Sequence, residues 1–384
     1  MKIFIGTLML LANFLDGKAQ IEKHLVDELK FRSGKAMAVT FSPDGKELLV
    51  GVENQKIIMY NLKEENTRLE IEQAHYAGVK ALLYTSTGDS LFSTGDKQVY
   101  LWNTAGKRLL SFGGNATYGW SLSATPNDNY IACGSFERHF RVWEVEEEAE
   151  PMEFSQHDKS VLAVAFSPNG KYLTSGSRDQ KIHIWDWTKK KILFTLAGHA
   201  DNIYDIEYSP DGTMLASASK DNSIRLWDVQ NKRLVRILSG HDRAVMSIDF
   251  SQDGHYLISG SFDHTVRIWE TQTGNNVFTY RKHEGPVNEV SFSPNDTIFA
   301  SASDDETLLL WKLNKEIFVD YYFQEAFFKE MKNSGLIDER RKGESRSEYK
   351  ERQESADDFR KELYEKYYRQ YLKKRDNMEL KTTD

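Results

Sequence analysis

The chain has 384 residues, of which 40% are hydrophobic and 12% aromatic, with a formal net charge of −8 and a single cysteine. This hydrophobic fraction excludes disorder along the whole length, and the lone Cys133 excludes an internal disulfide framework. The negative net charge disfavours nucleic acid as a partner, because binding to phosphates needs a basic surface.

The first 19 residues differ from the rest of the chain. Lys2 is followed by an uncharged, mostly apolar run from Ile3 to Leu15 and then by small residues at Gly17 and Ala19. This order is typical of a secretory signal peptide, and the run is shorter than the roughly 20 apolar residues of a membrane span. We therefore predict a signal peptide over residues 1–19 and a secreted or periplasmic protein. The alternatives are an N-terminal buried strand or helix and a cytoplasmic location.

A repeat of about 42 residues follows this segment. Its marks are six tryptophans spaced 41 or 42 residues apart and a tyrosine 42 residues before the first of them: Tyr60, Trp102, Trp143, Trp185, Trp227, Trp269 and Trp311. Each ends a short run in which apolar residues alternate with period two, which predicts a strand. Upstream, an apolar strand leads into a tight turn such as the Ser-Pro-Asp-Gly of residues 42–45.

Four strands in each such period resemble the WD-repeat propeller family over roughly residues 21–315. The resemblance implies an all-β fold: a seven-bladed β-propeller of four-stranded blades over residues 20–315. It also implies a structural hydrogen-bonded tetrad of His, Ser, Asp and Trp, which five units carry in full. The tetrads are His75, Ser93, Asp96 and Trp102; His157, Ser175, Asp179 and Trp185; His199, Ser217, Asp221 and Trp227; His241, Ser259, Asp263 and Trp269; and His283, Ser301, Asp305 and Trp311.

Two units depart from the tetrad pattern. The first lacks the histidine and has Asn54 and Tyr60 in place of Asp and Trp. The third has Asn115, Cys133 and Glu137 in place of His, Ser and Asp. We expect both blades to form, with the cysteine as a small buried thiol.

The tetrads contain the residue types of a serine hydrolase triad, so catalysis has to be considered. A triad needs one exposed nucleophile beside an oxyanion site, whereas this trio recurs five times beside a tryptophan. The sequence has no Gly-x-Ser-x-Gly elbow, no Walker loop and no Gly-x-Gly-x-x-Gly fingerprint, and its histidines match no metal-ligand spacing. We therefore predict no catalytic residue, no cofactor and no metal site. The alternative is a propeller that binds a small ligand or acts as a hydrolase in its central channel.

The segment His24–Leu29 aligns with the outer strands that begin at Lys191 and Arg233. We expect it to be the outermost strand of the last blade, paired with the strand that ends at Trp311. Closure of the ring by an N-terminal strand removes a free sheet edge.

Residues 316–384 form a separate segment, for which we predict a helical, charge-rich extension. Residues 313–384 contain 17 basic and 17 acidic residues, so the net charge of −8 lies in the first 312. An aromatic-rich helix is predicted from Ile317 to Met331. A second, amphipathic helix of roughly 28 residues is predicted from near Ser345, where Glu348 completes a capping box. These helices either dock on the propeller or bind a partner.

Members of the family commonly bind protein segments over the narrow end of the ring, around the central channel. Aromatic side chains, a methionine and two basic residues concentrate at the corresponding positions of the third to sixth units: Tyr118, Trp120, Phe136, Arg178, Tyr204, Lys220, Met246 and Phe262. Aromatic and arginine side chains are enriched at interface hot spots. We predict that these residues bind an extended acidic or amphipathic segment of a protein partner. The alternative is that some of them fill the channel or pack between blades.

The sequence thus predicts a non-catalytic scaffold for protein–protein interaction, without a nucleic-acid partner. A ligand-binding propeller would need charged residues that converge on several inner strands, and none is predicted. The identity of the partner is not encoded in these patterns.

Overall fold

The computed structural model describes residues 24–31, 34–114, 117–146 and 150–379. One compact unit spans Leu25–Trp311, and the C-terminal segment Lys312–Asp384 belongs to a second unit. The signal peptide predicted over residues 1–19 lies outside the described residues, as does Asn115. Within the described ranges, no helix has both the length and the apolar character that a membrane crossing requires.

The first unit consists of seven antiparallel, four-stranded blades, numbered here in chain order. Its strands are β1 (Leu25–Lys30), β2 (Ala36–Phe41), β3 (Glu47–Val52), β4 (Ile57–Asn61), β5 (Asn66–Ile71), β6 (Ala81–Tyr84), β7 (Ser90–Thr94), β8 (Val99–Asn103), β9 (Arg108–Phe112), β10 (Gly119–Ala124), β11 (Tyr130–Ser135), β12 (Phe140–Glu144), β13 (Met152–Phe154), β14 (Val161–Phe166), β15 (Leu173–Ser177), β16 (Lys181–Asp186), β17 (Lys191–Ala197), β18 (Ile203–Tyr208), β19 (Met214–Ser219), β20 (Ser223–Asp228), β21 (Arg233–Ser239), β22 (Val245–Phe250), β23 (Tyr256–Ser261), β24 (Val266–Glu270), β25 (Asn276–Tyr280), β26 (Val287–Phe292), β27 (Ile298–Ser303) and β28 (Thr307–Lys312).

Blade 1 is β2–β5, and each later blade takes the next four strands, up to blade 7, which is β26–β28 with β1. The innermost strands β2, β6, β10, β14, β18, β22 and β26 contact one another in a closed cycle. The ring is therefore complete, and the seven-bladed propeller that the resemblance implied is confirmed.

The blades stack through apolar faces whose second strands carry small residues. Ala216 and Ala218 of β19 pack in one buried cluster with Val245 and Ile248 of the next blade. Small side chains at these positions allow neighbouring sheets to approach closely, and interior packing is dense enough for one added methylene to matter.

The hairpin turns between the first two strands of each blade also connect neighbouring blades. Gly45 has a positive φ of 68°, and its N–H donates to the Ser42 carbonyl at 2.8 Å. At the equivalent turn of blade 2, a Cβ added to Gly88 would lie 3.2 Å from the ring of Pro43. The Gly of one turn thus packs against the Pro of the turn in the preceding blade. This contact gives a reason, besides turn geometry, for Pro and Gly to recur in these turns.

Blades 3 and 4 are joined more closely than a propeller pattern predicts. Ser135 at the end of β11 pairs with Val161 at the start of β14, so the two blades form one continuous eight-stranded sheet. Among the described strands, no other two blades share such a pairing.

The N-terminal strand closes the ring as predicted. β1 pairs antiparallel with β28, with Leu25 opposite Trp311 and Lys30 opposite Thr307. The Tyr60 hydroxyl of blade 1 donates to Asp27 at 2.9 Å, so this strand also contacts the first blade.

The second unit contains two helices, α1 (Lys315–Asn333) and α2 (Arg346–Glu379). The Asn314 side chain accepts the Glu316 N–H at 3.0 Å and caps α1. Ser345 and Glu348 form the predicted capping box, because each side chain accepts the backbone N–H of the other, at 3.2 and 2.7 Å respectively.

The two helices pack through a buried apolar cluster. It contains Val319, Phe327 and Met331 of α1 and Leu363, Tyr364 and Tyr367 of α2. With 34 residues, α2 is longer than the roughly 28 predicted. Pairs of opposite charge three or four residues apart, such as Lys361 with Asp358, support the parts of α2 that the aromatic stripe does not reach.

The closing strand generates a test of the ring. We expect a chain of residues 32–384 to melt roughly 5 °C or more below a chain of residues 20–384, because loss of β1 exposes the edge of β28. The chain of residues 20–384, compared with the full chain, is the control for shortening alone. Equal melting temperatures for residues 20–384 and 32–384 would contradict closure by β1.

Candidate interaction site

The tetrads form continuous hydrogen-bonded chains, of which blade 5 is typical. The Trp227 indole N–H donates to Ser217 Oγ at 2.9 Å, and the Ser217 hydroxyl lies 2.8 Å from His199 Nε2. His199 Nδ1 lies 2.8 Å from a carboxylate oxygen of Asp221. Blades 4, 6 and 7 repeat this geometry, with corresponding distances of 2.7 to 2.8 Å.

The aspartate of each such chain is held as an anion. Burial alone would raise the pKa of Asp221, but hydrogen bonds from His199, Ser223 and the backbone of Ala200 hold it well below the usual carboxyl range. The carboxylate therefore fixes the imidazole with its proton on Nδ1, and Nε2 is left to accept the serine proton.

The tetrad serines are unsuited to catalysis because they are fully buried. Ser93, Ser175, Ser217, Ser259 and Ser301 have no solvent-exposed surface. Each hydroxyl is held between an indole and an imidazole, so a substrate cannot reach it. The structure thus places these predicted residues together as five separate buried groups.

Three blades differ from the complete tetrads. In blade 2, His75 Nδ1 lies 3.2 Å from Asp96 but makes no hydrogen bond to any described residue. In blade 3, Trp143 donates to the Gly113 carbonyl at 2.9 Å, and Cys133 is fully buried. In blade 1, the hydroxyl of Tyr60 contacts the closing strand instead of a serine.

A central channel of about 630 Å³ runs between the innermost strands. Half of the predicted partner-binding residues line it: Trp120, Tyr204, Met246 and Phe262. The other four, Tyr118, Phe136, Arg178 and Lys220, are exposed residues outside its lining. Met246 is buried at the channel wall, with 9% of its surface exposed.

Aromatic side chains meet at one end of this channel, which we call the mouth. Trp120 contacts Phe136 edge to face, with ring centroids 5.1 Å apart. Phe136 is 39% exposed and Tyr118 is 51% exposed. The ammonium of Lys80 lies 5.7 Å from the Trp120 ring, within the range of a cation–π contact.

Carboxylates converge on the channel, contrary to the sequence prediction that no inner strands bring charges together. Asp205 and Glu207 on β18, Asp249 on β22 and Glu289 on β26 all line it. Asp205 and Glu289 stand 22 residues before the tryptophans of their blades, and Glu207 and Asp249 stand 20 before. Acidic residues at equivalent positions of mostly apolar inner strands could have predicted this convergence from the sequence.

Three of these carboxylates satisfy backbone groups of the following blade. Inner strands have an unpaired edge, and an unpaired buried N–H is costly. Asp205 accepts the Ile248 N–H at 2.9 Å, and Asp249 accepts the Phe292 N–H at 2.7 Å. Glu289 accepts the N–H of Val39 at 2.6 Å and so joins the last blade to the first.

Burial at the channel wall raises the pKa of all four groups. For Asp205 the pKa rises to about 6, and for Asp249 to about 7, where the charge of Asp205 adds to the effect of burial and the Phe292 N–H opposes it. Glu207 and Glu289 have pKa values well above the usual range, with burial as the largest cause and repulsion from neighbouring carboxylates as a further one.

Comparison with known proteins relates these blades to characterised families. The sequence model of the family described as "Echinoderm microtubule-associated protein second beta-propeller" matches residues 119–284. That of "WD domain, G-beta repeat" matches residues 66–103 and 274–312.

Two curated proteins are similar to parts of the chain. A "WD repeat domain-containing protein 83 homolog" from Dictyostelium discoideum is 28% identical over 119 residues, which cover 30% of this chain and 36% of that protein. "Transcription initiation factor TFIID subunit 5" from Caenorhabditis elegans is 31% identical over 138 residues, which cover 35% of this chain and 21% of that protein. Each match thus covers about a third of this chain, 36% of the Dictyostelium protein and 21% of the Caenorhabditis protein.

The tetrads generate a prediction for stability. We expect Ser217→Ala to lower the free energy of unfolding by about 1–3 kcal/mol, because the Trp227 N–H and His199 Nε2 lose their shared partner in a buried site. Thermal and urea unfolding measure this, and Ser239→Ala on the exposed edge strand β21 is the matched control. Equal losses in the two variants would contradict the role of the tetrad.

The channel carboxylates generate a prediction for pH dependence. Because the pKa of Asp249 is about 7 in the folded chain and about 4 in the unfolded chain, the unfolded state releases this proton first as the pH rises. Protonated Asp249 therefore contributes its full share to the free energy of unfolding below about pH 4, and this share is lost as the pH rises from about 4 to about 7.

Asp249→Asn removes this titration while its amide oxygen can still accept the Phe292 N–H. We expect the melting temperature of the variant, relative to the unchanged chain, to increase from pH 4 to pH 7 and then to level off. The tetrad aspartates titrate alike in both proteins and cancel in the difference. A difference that is independent of pH would contradict the raised pKa.

Proposed function

We propose that this chain, which belongs to the WD-repeat β-propeller family, is a non-catalytic scaffold that binds a protein or peptide segment over the mouth of its channel. The observation that carries the proposal is the contact of Trp120 with Phe136 at the mouth, beside the exposed Tyr118. Aromatic rings that stay exposed instead of joining a core are typical of interaction surfaces.

The surroundings of these rings also fit a binding surface. Tyr204 and Phe262 line the channel from blades 5 and 6, and Arg178 and Lys220 are exposed. Apolar residues surrounded by exposed polar ones are the usual arrangement of a protein interface. Lys220 is 3.4 Å from Asp201, a weak surface pair that a partner's carboxylate can replace.

The absence of catalysis in this proposal rests on the buried tetrads. A hydrolase in the channel would need an exposed nucleophile near a base, and the five Ser-His-Asp groups are buried inside the blades. WD-repeat proteins as a family act generally as interaction scaffolds, which supports the same function here.

The proposal is tested by changing Trp120, Phe136 and Phe262 together to Ala. We expect the full-length triple variant to lose partners that the unchanged chain captures by crosslinking in its native host, because hot-spot aromatics contribute about 2 kcal/mol or more each. Quantitative mass spectrometry of the captured proteins measures the loss.

A matched variant changes three apolar residues that are exposed elsewhere. Leu193, Leu234 and Ile237 lie on the outer strands of blades 4 and 5, and their change to Ala removes a similar kind of surface. We expect this control to keep its partners and both variants to keep melting temperatures close to that of the unchanged chain. Full capture by the folded mouth variant would refute the proposed surface.

A further inference from the structure

The channel wall is strongly acidic. Its lining contains seven carboxylates and two lysines. Both lysines lie on the side of Glu53 and Asp304: Lys35 forms an ion pair with Asp304 at 2.9 Å, and both carboxylates act on Lys80. The charges that act on Glu207, in contrast, are those of Asp249 and Asp205. The wall formed by blades 5 to 7 therefore concentrates acidic side chains that neither lysine pairs with.

Glu207 differs from two residues at the same position of other blades. Ser123 in blade 3 and Asp249 in blade 6 also stand 20 residues before the tryptophan, and each accepts a backbone N–H of the next blade. Glu207 makes no hydrogen bond within residues 24–31, 34–114, 117–146 and 150–379, although it lines the channel and burial raises its pKa. Glu207 keeps partial exposure at the channel wall, so its carboxyl group is open to the channel and is not used to join neighbouring blades.

The chemistry around Glu207 suits an organic cation better than a metal ion. Among the described residues, no three His, Cys, Asp or Glu side chains are grouped closely enough to hold a metal. The aromatic rings of Trp120, Tyr204 and Phe262 line the same channel and offer the faces that attract ammonium and guanidinium groups. The channel volume of about 630 Å³ also lies within the range of roughly 300–1,000 Å³ that is usual for ligand sites.

We propose that the channel accepts the cationic side chain, arginine or lysine, of the protein segment bound at the mouth, and that Glu207 is its ion-pair partner. This inference rests on the proposed function, because the same segment must cover the mouth. It also revises the chemistry of that segment, which the sequence predicted to be acidic or amphipathic, because an acidic side chain would find no cationic partner beside Glu207. The aromatic rings would guide the side chain past the mouth, and the carboxylates would hold its charge.

The probes are blocked seven-residue peptides of alanine and glycine that differ only at the central residue, which is arginine, lysine, citrulline or norleucine. Binding to the full-length protein is measured by ligand-observed NMR and fluorescence anisotropy. We expect the arginine or the lysine peptide to bind roughly 10-fold or more tightly than the citrulline and norleucine peptides, and added salt to weaken this preference. Equal binding of charged and neutral peptides would overturn the inference.

Glu207→Gln is the decisive variant, because the Glu207 side chain makes no hydrogen bond to the described part of the chain. We expect it to melt at or above the temperature of the unchanged chain and to bind the charged peptide roughly 10-fold more weakly. Glu351→Gln makes the same charge change on the exposed face of α2 and should leave both quantities unchanged. Undiminished binding by Glu207→Gln would overturn the inference.

Failure of this inference can be told apart from failure of the proposed scaffold. If the aromatic variant loses its partners while Glu207→Gln keeps both partners and peptide affinity, the mouth binds a segment without a cation in the channel, and the inference alone is wrong. If the aromatic variant also keeps its partners, the scaffold proposal fails as well. Binding of spermidine with no preference for the charged peptides would likewise overturn the assignment to a protein side chain.

Discussion

The fold depends on the need to satisfy four polar groups inside each blade that carries a tetrad. A buried indole N–H, a hydroxyl, an imidazole and a carboxylate would each be destabilising alone, and a single chain of hydrogen bonds satisfies them together. In blade 5 that chain runs from Trp227 through Ser217 and His199 to Asp221. It connects residues up to 28 positions apart and so fixes the loop before the inner strand relative to the third strand.

The same requirement explains the centre of the ring. The tetrads do not reach the innermost strand of a blade, whose free edge has backbone N–H groups without strand partners. Side chains from the preceding blade accept some of these N–H groups. Serines and carboxylates both serve in this way: between blades 6 and 7, Ser247 accepts the Val290 N–H at 3.2 Å and Asp249 accepts the Phe292 N–H at 2.7 Å. The acidity of the channel is thus first a structural property. An acidic side chain is free to bind a ligand only where it does not accept a backbone N–H of the next blade, as is the case for Glu207.

The number of repeats and the closing strand could be predicted from spacing along the chain, and the tetrads from the resemblance to WD-repeat propellers. Tryptophans 42 residues apart and an outer-strand pattern at His24–Leu29 carry this information locally. The role of the inner-strand acids could not be predicted in the same way. Whether Asp205 or Glu289 faces a neighbouring blade or its own depends on how bulged strands sit around a closed ring. The pairing of Ser135 with Val161 could not be predicted from the repeat either, because Ser135 ends one ordinary strand and Val161 begins another.

The pairing of β1 with β28 has a consequence for biosynthesis. Leu25 is translated 286 residues before its partner Trp311, which at about 5–20 residues per second is a delay of roughly 15 to 60 s. Throughout that interval the strand emerges without its complement and is exposed to wrong pairing with nascent neighbours. Asp27, Glu28 and Lys30 place charges along it, a common protection of open edges against aggregation. Completion of the circle is therefore a late event, coupled to the end of translation and slowed by the long loop that must close.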